Sequence, residues 1–500
     1  MKTEFLLRKK IAFFNILKWF LASTFIGIVV GIFNSFFLKL LSVSVGVTNK
    51  VPYYFFVMPF AFYIVHILAR KIAEQDTDYS TDAAIARINA RKPISVISAA
   101  KAFFLPIITI SAGGSAGKEA PCADVGAGVA SFFSKFFNFN PNERRKLMIC
   151  GVSAGFAGVF GVPISGALFG LEVLSVGKVF YEVMFPAFIA GITSFQVTHM
   201  MGVEYLYHPL ALKALNIDSS LLQVMAAGLF FGLVSLLFIE IMKLAKIIFR
   251  FISLRFSPFL KCFTGGALVV FIALLTSPIY LGLGMDQVEA VLAGGPADTF
   301  AFLFKMLTTA VTFAAGGVGG IITPVFFIGA HAGSFFAQIT GLNPITFAAL
   351  GLVSVLAGVA NTPLAASVMA IELFGATIAP YAAVSCILSF LVTGQRSVFA
   401  KQKFNFVKDL SDDEPWEEEP PQSIQQLEYQ LRQKNIFLSL VRHLIPDFKE
   451  AIEKTISETK NVIEEKKERR EKETNNKKKK GFFVFLFGHL FMTHFDKEDK

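Results

Sequence analysis

The chain alternates long apolar segments with short polar breaks through its first 400 positions, without the two-residue alternation of strands. Several segments are shorter than the roughly 20 residues that a simple spanning helix needs, or are interrupted by glycine. Broken segments occur at membrane depth only where they are buried in protein or line a cavity. The pattern therefore predicts an all-α polytopic membrane protein with tilted and broken helices. The apolar runs lie at 11–47, 52–68, 95–112, 122–138, 147–174, 180–201, 219–242, 262–284, 298–315, 321–340, 345–372 and 376–394.

Composition and charge narrow the class of protein. Hydrophobic residues make up 54 % of the 500 positions and charged residues 17 %, against about 25 % charged residues in soluble domains. The last 100 residues carry 20 basic and 20 acidic side chains, so the net charge of +10 belongs to the apolar part. This distribution excludes a soluble enzyme, a fibrous chain and a disordered chain. We expect no enzymatic activity.

The basic residues predict how the chain is oriented in the membrane. The basic stretch 1–10 precedes an apolar run to about Phe37, which is longer than a cleavable signal. We expect a retained first helix with a cytoplasmic N-terminus. Lys and Arg cluster at 70–92, 144–146 and 243–261, whereas 202–220 contains one lysine, which indicates an external loop. Both termini are therefore predicted to be cytoplasmic.

An internal repeat divides the apolar part into two halves. The stretch GVSAGFAGVFGVPISGALFGLEVL (151–174) aligns without a gap with GLVSVLAGVANTPLAASVMAIELF (351–374), at an offset of 200. GGSAGKEAP ends at Pro121 and GGVGGIITP ends at Pro324, at an offset of 203. Matching glycine-broken segments in duplicated halves indicate a transport site at the repeat interface, and the predicted orientation gives the halves opposite topology. The predicted divisions are a segment 1–19, a transport domain 20–400 with halves 20–210 and 219–400, and a charged tail 401–500.

The two glycine-rich breaks predict an anion site. Glycine permits an extended loop there, and proline suits the first turn of a helix, so we expect helices to open at Pro121 and Pro324. The free N–H groups and the dipole of such helix ends attract anions without a full positive charge. Two ends meeting inside the membrane would form one site.

Glu119 is the sharpest candidate in the first break. A carboxylate inside the membrane indicates function by default, and a salt bridge to Lys118 is the structural alternative. Because a carboxylate is itself an anion, it can occupy and block an anion site. A nucleotide-binding P-loop is excluded, because Ala112 stands where the first glycine is required and Glu119 follows Lys118.

The motifs resemble those of the CLC family of chloride channels and chloride–proton antiporters. SAGKEAP resembles that family's Gly-Lys/Arg-Glu-x-Pro motif, GGIITP its Gly-x-Phe-x-Pro motif with Ile322 at the usual Phe, and GVPISGALFGLEVL its helix ending in an acidic pair. The likeness runs in order over roughly 20–400. It implies a homodimer in the lipid bilayer, with tilted helices in two inverted halves and one pore per subunit for chloride or a similar small anion.

The resemblance also implies roles for individual positions. Glu119 corresponds to the gating glutamate. The motif that supplies a hydroxyl to the inner site has diverged to DYSTDA, where Ser80 is favoured over Tyr79, and Tyr381 is the nearest match to a late coordinating tyrosine. Asp82, in the same stretch, is expected to cap a cytoplasmic helix. The implied anion-binding residues are Ser80, Gly117, Lys118, Ala120, Gly320, Ile321, Ile322 and Tyr381.

The residue type at position 173, which is valine (Val173) here, distinguishes a channel from an exchanger. Family exchangers often carry a proton-transferring glutamate there, and valine neither binds nor passes a proton. The sequence therefore favours channel-like passive chloride flux gated by Glu119. A chloride–proton antiporter of the same family and a secondary transporter of another anion from a different inverted-repeat family are the alternatives. Glu172 and its counterpart Glu372 are expected to bond backbone N–H groups as structural residues.

Cofactors and tail domains are not indicated. Four cysteines lie in apolar stretches without a CxxC pair, and seven histidines show no metal-ligand spacing, so no metal or cofactor is expected. The tail is too short and too charged for the pair of CBS domains that many family members carry. Its end, KKKKGFFVFLFGHLFMTHF, is too short to span a bilayer, and either a surface anchor or packing against the membrane domain fits it. Nucleic-acid binding is not expected, because the tail has no net charge.

Overall fold

The computed structural model of the chain describes residues 2–71, 81–205 and 217–405. Within them, five helices are long and apolar enough to cross a membrane. Other apolar helices have only 10 to 17 residues. These lengths agree with the predicted mixture of spanning and broken helices. The five long segments are Phe13–Thr48, Tyr181–Met200, Leu221–Ser253, Pro258–Leu275 and Ile322–Thr340.

The helices of the two halves follow one another in the same order. In the first half they are α1 (Lys2–Thr48), α2 (Met58–Lys71), α3 (Thr81–Asn89), α4 (Val96–Ser111), α5 (Glu119–Phe136), α6 (Pro141–Phe160), α7 (Pro163–Glu172) and α8 (Tyr181–Met200). In the second half they are α9 (Ile217–Arg255), α10 (Pro258–Leu275), α11 (Met285–Leu292), α12 (Ala301–Ala315), α13 (Ile322–Thr340), α14 (Pro344–Ala360), α15 (Pro363–Phe374) and α16 (Ala379–Val392). From α4 onward the offset between counterparts stays close to 200.

Side-chain capping explains where the central helices α6 and α14 begin. Asn140 and Asn343 precede α6 and α14, and each side-chain oxygen accepts the first free N–H groups of its helix. Proline follows each of these asparagines, at a position where no hydrogen of its own is needed. The two halves therefore begin their central helices with the same local chemistry.

Glycine pairs bring the central helices of each half into backbone contact. A Cβ on Gly126 of α5 would collide with the carbonyl oxygen of Gly151 on α6, and a Cβ on Gly151 would collide with that of Gly126. Gly329 of α13 and Gly351 of α14 have the same relationship. Small residues at such crossings allow the close van der Waals packing that holds membrane helices together. The repeat is therefore a repeat of packing as well as of sequence.

The segment after α16 remains part of the membrane unit. Strand β2 (Lys403–Phe404) pairs in parallel with β1 (Ser175–Val176). The buried Gln402 donates from Nε2 to the carbonyl oxygens of Val173 at 2.9 Å and Ala360 at 3.0 Å. The compact fold thus continues past residue 400, where the sequence division had been drawn, to at least 405. The predicted tail segments from 406 onward lie outside the described residues.

Candidate functional site

The two glycine-rich breaks meet at the centre of the protein. Gly117 N–H donates to the carbonyl oxygen of Gly320 at 2.6 Å, and Gly320 N–H donates to that of Gly117 at 2.7 Å. The two residues form an isolated antiparallel bridge. Because they are repeat counterparts, the reciprocal pair places an approximate two-fold axis between the halves.

Polar groups of α4 and α12 hold these loops in the same reciprocal way. Ser115 N–H donates to Thr312 Oγ1 at 3.2 Å, and Val318 N–H donates to Thr109 Oγ1 at 3.1 Å. Thr109 and Thr312 are themselves 203 positions apart. Each loop is therefore hydrogen-bonded to the helix that precedes the other loop, which satisfies backbone N–H groups inside the protein.

Both helices begin two residues earlier than the sequence predicted. α5 begins at Glu119 and α13 at Ile322, with Lys118 and Ile321 as the preceding N-cap residues. Pro121 and Pro324 therefore stand in the third helical position, where a missing N–H is still harmless because the first turn has no intrahelical acceptors. The consequence is that Glu119 belongs to the first turn of α5 and lies directly at the junction.

The Glu119 carboxylate occupies the end of the opposite half's helix. Its side chain is buried, with 1 % of its surface exposed. Oε1 accepts the backbone N–H of Ile322, and Oε2 accepts the Thr323 hydroxyl at 2.7 Å. A negative group at the N-terminus of a helix is stabilised by the free N–H groups and by the dipole. The carboxylate thus fills the kind of position that an anion would take.

Two glycines make room for this carboxylate. A Cβ built on Gly117 would collide with both oxygens of Glu119, and one built on Gly320 would collide with Oε1 and Cδ. The carboxylate is therefore sandwiched between the two loops that form the bridge. Any side chain at either position would displace it.

A cavity of about 320 Å³ extends from Glu119 toward Thr81, Asp82 and Lys246. Its polar lining also includes Asp124 of α5. Most of the remaining wall is apolar, which keeps the dielectric constant low and strengthens electrostatic interactions inside. The aromatic and aliphatic wall includes Phe156, Phe169, Met242, Phe313, Val398 and Phe399.

The structure brings together most of the predicted site residues. Ala120, Ile321 and Ile322 line the cavity with Glu119, and Gly117 and Gly320 lie beside the carboxylate.

Lys118 stands at the N-cap position of α5 without a side-chain capping bond, and it is not among the described residues that line the cavity. Within the described ranges, no hydrogen bond joins Lys118 to Glu119. The Glu119 oxygens instead accept a backbone N–H group and a hydroxyl group from α13. The alternative of a salt bridge between the two neighbours is therefore not supported.

Tyr381 does not belong to this cavity. A break at Gly375 and a short 3₁₀ turn over Ala376–Ile378 delay the start of α16. Tyr381 therefore lies in the first turn of α16, partly buried against the apolar core. Its expected part in anion coordination is not supported, and Phe399 is among the aromatic residues that line the cavity instead.

Ser80 and Tyr79 lie outside the described residues, so the choice between them stays a prediction. Thr81, the next residue along the chain, lines the cavity. Asp82 accepts the backbone N–H of Lys401 at 3.3 Å through Oδ1.

Val173 is buried at the end of α7 but does not line the cavity, within the part of the chain that is described. Its carbonyl oxygen accepts the Gln402 side chain. Phe169, one turn earlier on α7, is the residue of that helix that reaches the cavity. The Gln402 bond thus holds the backbone of residue 173, and among the described residues of α7 it is Phe169 that forms the cavity wall.

The sequence reasoning missed three functional candidates. Thr323 supplies a hydroxyl to Glu119, Asp124 places a second carboxyl in the cavity, and Lys246 places a cation at its wall. The signal for Thr323 was its position directly before Pro324 in the second break. Asp124 follows Glu119 by five residues in the same apolar helix, where any acid warrants a functional hypothesis.

Comparison with known proteins agrees with this architecture. A family model described as "Voltage gated chloride channel" matches residues 61–394. The chain belongs to the CLC voltage-gated chloride channel family. A "Chloride/fluoride channel protein" of Pseudomonas syringae pv. tomato is 34 % identical to this CLC chain over 407 residues, which cover 79 % of the chain and 88 % of that protein.

Solved structures show the same fold. The crystal structure of a CLC-type fluoride/proton antiporter superposes on this CLC chain with a TM-score of 0.73 and 26 % identity, covering 78 % of the chain and 99 % of the antiporter. A slow cyanobacterial Cl⁻/H⁺ antiporter gives a TM-score of 0.66 at 18 % identity, covering 75 % and 94 %. The protein is therefore a multi-pass integral membrane protein with the CLC fold of two inverted repeats, and anion transport is the activity of its family.

Proposed function

We propose that this chain exchanges a small halide anion for protons across the membrane, with Glu119 as both the gate and the proton carrier. The observation that carries the proposal is the Glu119 carboxylate itself, held on Ile322 N–H and the Thr323 hydroxyl between two glycines. An anion can use this position only after the carboxylate leaves it. Protonation weakens the hold of the N–H group and the helix dipole on the carboxylate, so proton binding and anion passage are linked.

Passive channel flux is the competing function, favoured from the sequence because of Val173. That argument assumed that the residue after Glu172 faces the proton route. Val173 does not line the cavity below Glu119 among the described residues, so the identity of this side chain carries little weight. The solved structure that is 26 % identical to this chain is that of a fluoride/proton antiporter, which favours coupled exchange.

Fluoride is the anion we propose to test first, with chloride as the comparison. The names of the Pseudomonas relative and of the antiporter structure both include fluoride. The departures from the chloride-type inner site at DYSTDA and at Tyr381 are consistent with this choice. A site made of N–H and O–H donors binds either halide, so the ratio of the two fluxes is the deciding quantity.

We further propose that the face with Lys246 and the cavity mouth is cytoplasmic, and that two copies form a homodimer. The orientation is supported by the basic residues at 243–261. For the dimer, the support is a pair of partly exposed carboxylates, Glu172 and Glu372, between α7 and α15. Carboxylates at a lipid-facing surface are unfavourable, and a second copy of the chain would cover them.

The experiment is anion efflux from proteoliposomes with external pH recorded at the same time, with fluoride and then chloride as the internal anion. Coupled exchange predicts that an outward anion gradient drives protons inward against their own gradient. Glu119→Gln should pass the anion without moving protons. Flux of both anions without proton movement in the unmodified protein would instead establish a passive channel.

A further inference from the structure

A second acid on α5 lines the cavity that ends at Glu119. α5 contains two acidic residues, Glu119 and Asp124. Asp124 Oδ2 accepts the Thr81 hydroxyl at 3.1 Å, which connects α5 to the start of α3. The gating role of Glu119 does not explain why Asp124 is present. A carboxyl group inside a membrane helix is unfavourable, so its presence there indicates a function.

We propose that Asp124 is the proton-transfer residue that connects the cavity to Glu119. The inference rests on the proposed function, since it supplies the internal half of the proton route that coupled exchange requires. Val173, the position expected for such a residue, does not line the cavity, whereas Asp124 does.

Both carboxyl groups line one cavity, and water in that cavity can connect them. Five residues along a helix correspond to about 7.5 Å of axial rise. The same five residues correspond to about 500° of rotation, which leaves the two side chains about 140° apart around the helix, so the route between them runs through the cavity. The cavity of about 320 Å³ has room for about ten water molecules of about 30 Å³ each. The two acids therefore share a space that can carry a proton.

The charged groups around Asp124 come from three elements. Glu119 lies on the same helix, Asp82 on α3 and Lys246 on α9, and all three line the cavity. Asp82 differs from Asp124 in its position, because its Oδ1 accepts the backbone N–H of Lys401 and it lies on a different helix from the gate. Asp124 and Glu119 lie on the same helix, so α5 keeps their relative positions constant.

Protonation of Asp124 affects how easily an anion enters the same cavity. Two like charges in a low-dielectric space repel strongly. An anion that enters next to an ionised Asp124 is therefore disfavoured, and a proton on Asp124 removes the repulsion. The transfer itself breaks the O–H bond of Asp124 and forms an O–H bond on Glu119, with water passing the proton between them. Glu119 then releases Ile322 N–H and opens the site.

The test is the ratio of proton to anion movement in proteoliposomes loaded with fluoride or chloride. Asp124→Asn keeps the size of the side chain and an oxygen that can accept the Thr81 hydroxyl, but it cannot carry a proton. We expect proton movement to fall by about 100-fold, the scale of a lost general acid–base group. Asp124→Glu restores an acid and should restore coupled proton movement.

Asp82→Asn is the matched control, because it removes the same charge from the same cavity. Its anion flux responds to the charge removed from the cavity, but its ratio of proton to anion movement should equal that of the unmodified protein. Undiminished coupling in Asp124→Asn, or equal loss in Asp82→Asn and Asp124→Asn, would overturn the inference while leaving coupled exchange intact. An unmodified protein that moves anions without protons would overturn the proposed function, and the inference with it. If Asp124→Asn does not fold, failure of the folded Asp124→Glu variant to couple protons would overturn the inference as well.

Discussion

Glu172 and Glu372 each cap the N-terminus of a helix in the opposite repeat. Glu172, the last residue of α7, accepts the backbone N–H groups of Leu364 at 3.1 Å and Ala365 at 2.9 Å at the start of α15. Glu372, near the end of α15, accepts those of Ile164 at 2.9 Å and Ser165 at 2.8 Å at the start of α7. The expected bonding to backbone groups is thereby confirmed. The two short helices lock together through two equivalent carboxylates, each at a helix N-terminus.

We predict that Glu172→Gln destabilises the protein. A glutamine keeps one acceptor oxygen but turns an N–H donor toward a backbone N–H, so one of the two bonds is lost and replaced by repulsion. Loss of a hydrogen bond to a charged group lowers the free energy of unfolding by about 1.5–3 kcal/mol. Thermal unfolding in detergent measures the change. Glu182→Gln is the control, because the side chain of Glu182 is 63 % exposed and its ion pair with Lys146 is long, at 3.9 Å. Equal melting temperatures for the two variants would contradict the capping role.

Gly320→Ala should open the gate while leaving the Glu119 residue itself unchanged. The added Cβ would collide with the carboxylate, while the backbone of Gly320 is not in the left-handed region and accepts alanine. The carboxylate must then leave its place between the loops. We expect anion flux to persist and to lose most of its pH dependence, which flux assays over a pH series would detect. Gly46→Ala is the control, since no atom lies within 4 Å of its Cβ. A fully pH-dependent Gly320→Ala protein would show that the carboxylate is not the gate.

Thr323→Val tests how firmly the carboxylate is held. Valine has the shape of threonine but lacks the hydroxyl that donates to Glu119 Oε2 at 2.7 Å. A lost hydrogen bond to a charged group is worth about 1.5 kcal/mol or more, so we expect opening to become about tenfold more frequent. Anion flux at neutral pH measures this. Thr264→Val, which removes a hydroxyl bonded to the Leu260 carbonyl of α10, should leave the flux unchanged. A reduced flux in Thr323→Val would mean that this hydroxyl binds the passing anion rather than the gate.

Lys246→Glu should slow entry of the anion from the cavity side. Lys246 is exposed on α9 and lines the cavity mouth. A positive charge there raises the local anion concentration, and reversing it lowers the flux by about tenfold at low ionic strength. The difference should shrink in 1 M salt, where the screening length falls to about 3 Å. Lys243→Glu is the control, because Lys243 is on the same helix but pairs with Glu240 and does not line the cavity. A salt-independent loss would point to misfolding.

Truncation can locate the functional end of the membrane unit. We predict that a chain ending at Asn405 keeps its fold and anion flux, because β2 and Gln402 are retained. A chain ending at Phe399 should lose stability, since Val173 and Ala360 lose the Gln402 amide and Ser175 loses Asn405, which donates to it at 2.5 Å. Unsatisfied buried groups cost about 1–3 kcal/mol each. Size-exclusion profiles and flux measure both chains. A folded but inactive chain ending at Asn405 would place the tail in the mechanism.

The sequence predicted those parts of the site that depend on local pattern. The offset between Pro121 and Pro324 predicted that two glycine breaks meet, and Glu119 was expected between them. The side chains that face the cavity were harder to predict, because they depend on helix rotation. Val173 looked decisive from the sequence, but among the described residues it is Phe169 of α7, and not Val173, that lines the cavity. Asp124 is unremarkable in the sequence and important only because α5 aims it at the same space as Glu119.

The helix starts were misplaced for a related reason. Proline at 121 and 324 suggested the first helical position, but the loop bridge at Gly117 and Gly320 ends the extended segment earlier and lets each helix begin two residues sooner. Tertiary hydrogen bonds between the halves set this boundary. A pattern within either half alone does not contain them.

Glu119 and Ile322 are counterparts in the repeat, 203 positions apart, and the carboxylate of one rests on the backbone N–H of the other. In this chain the first half supplies the carboxylate, and the second half supplies the N–H and hydroxyl groups that hold it. A single acidic side chain thus makes the two repeats chemically different, although their backbones around the junction are almost the same.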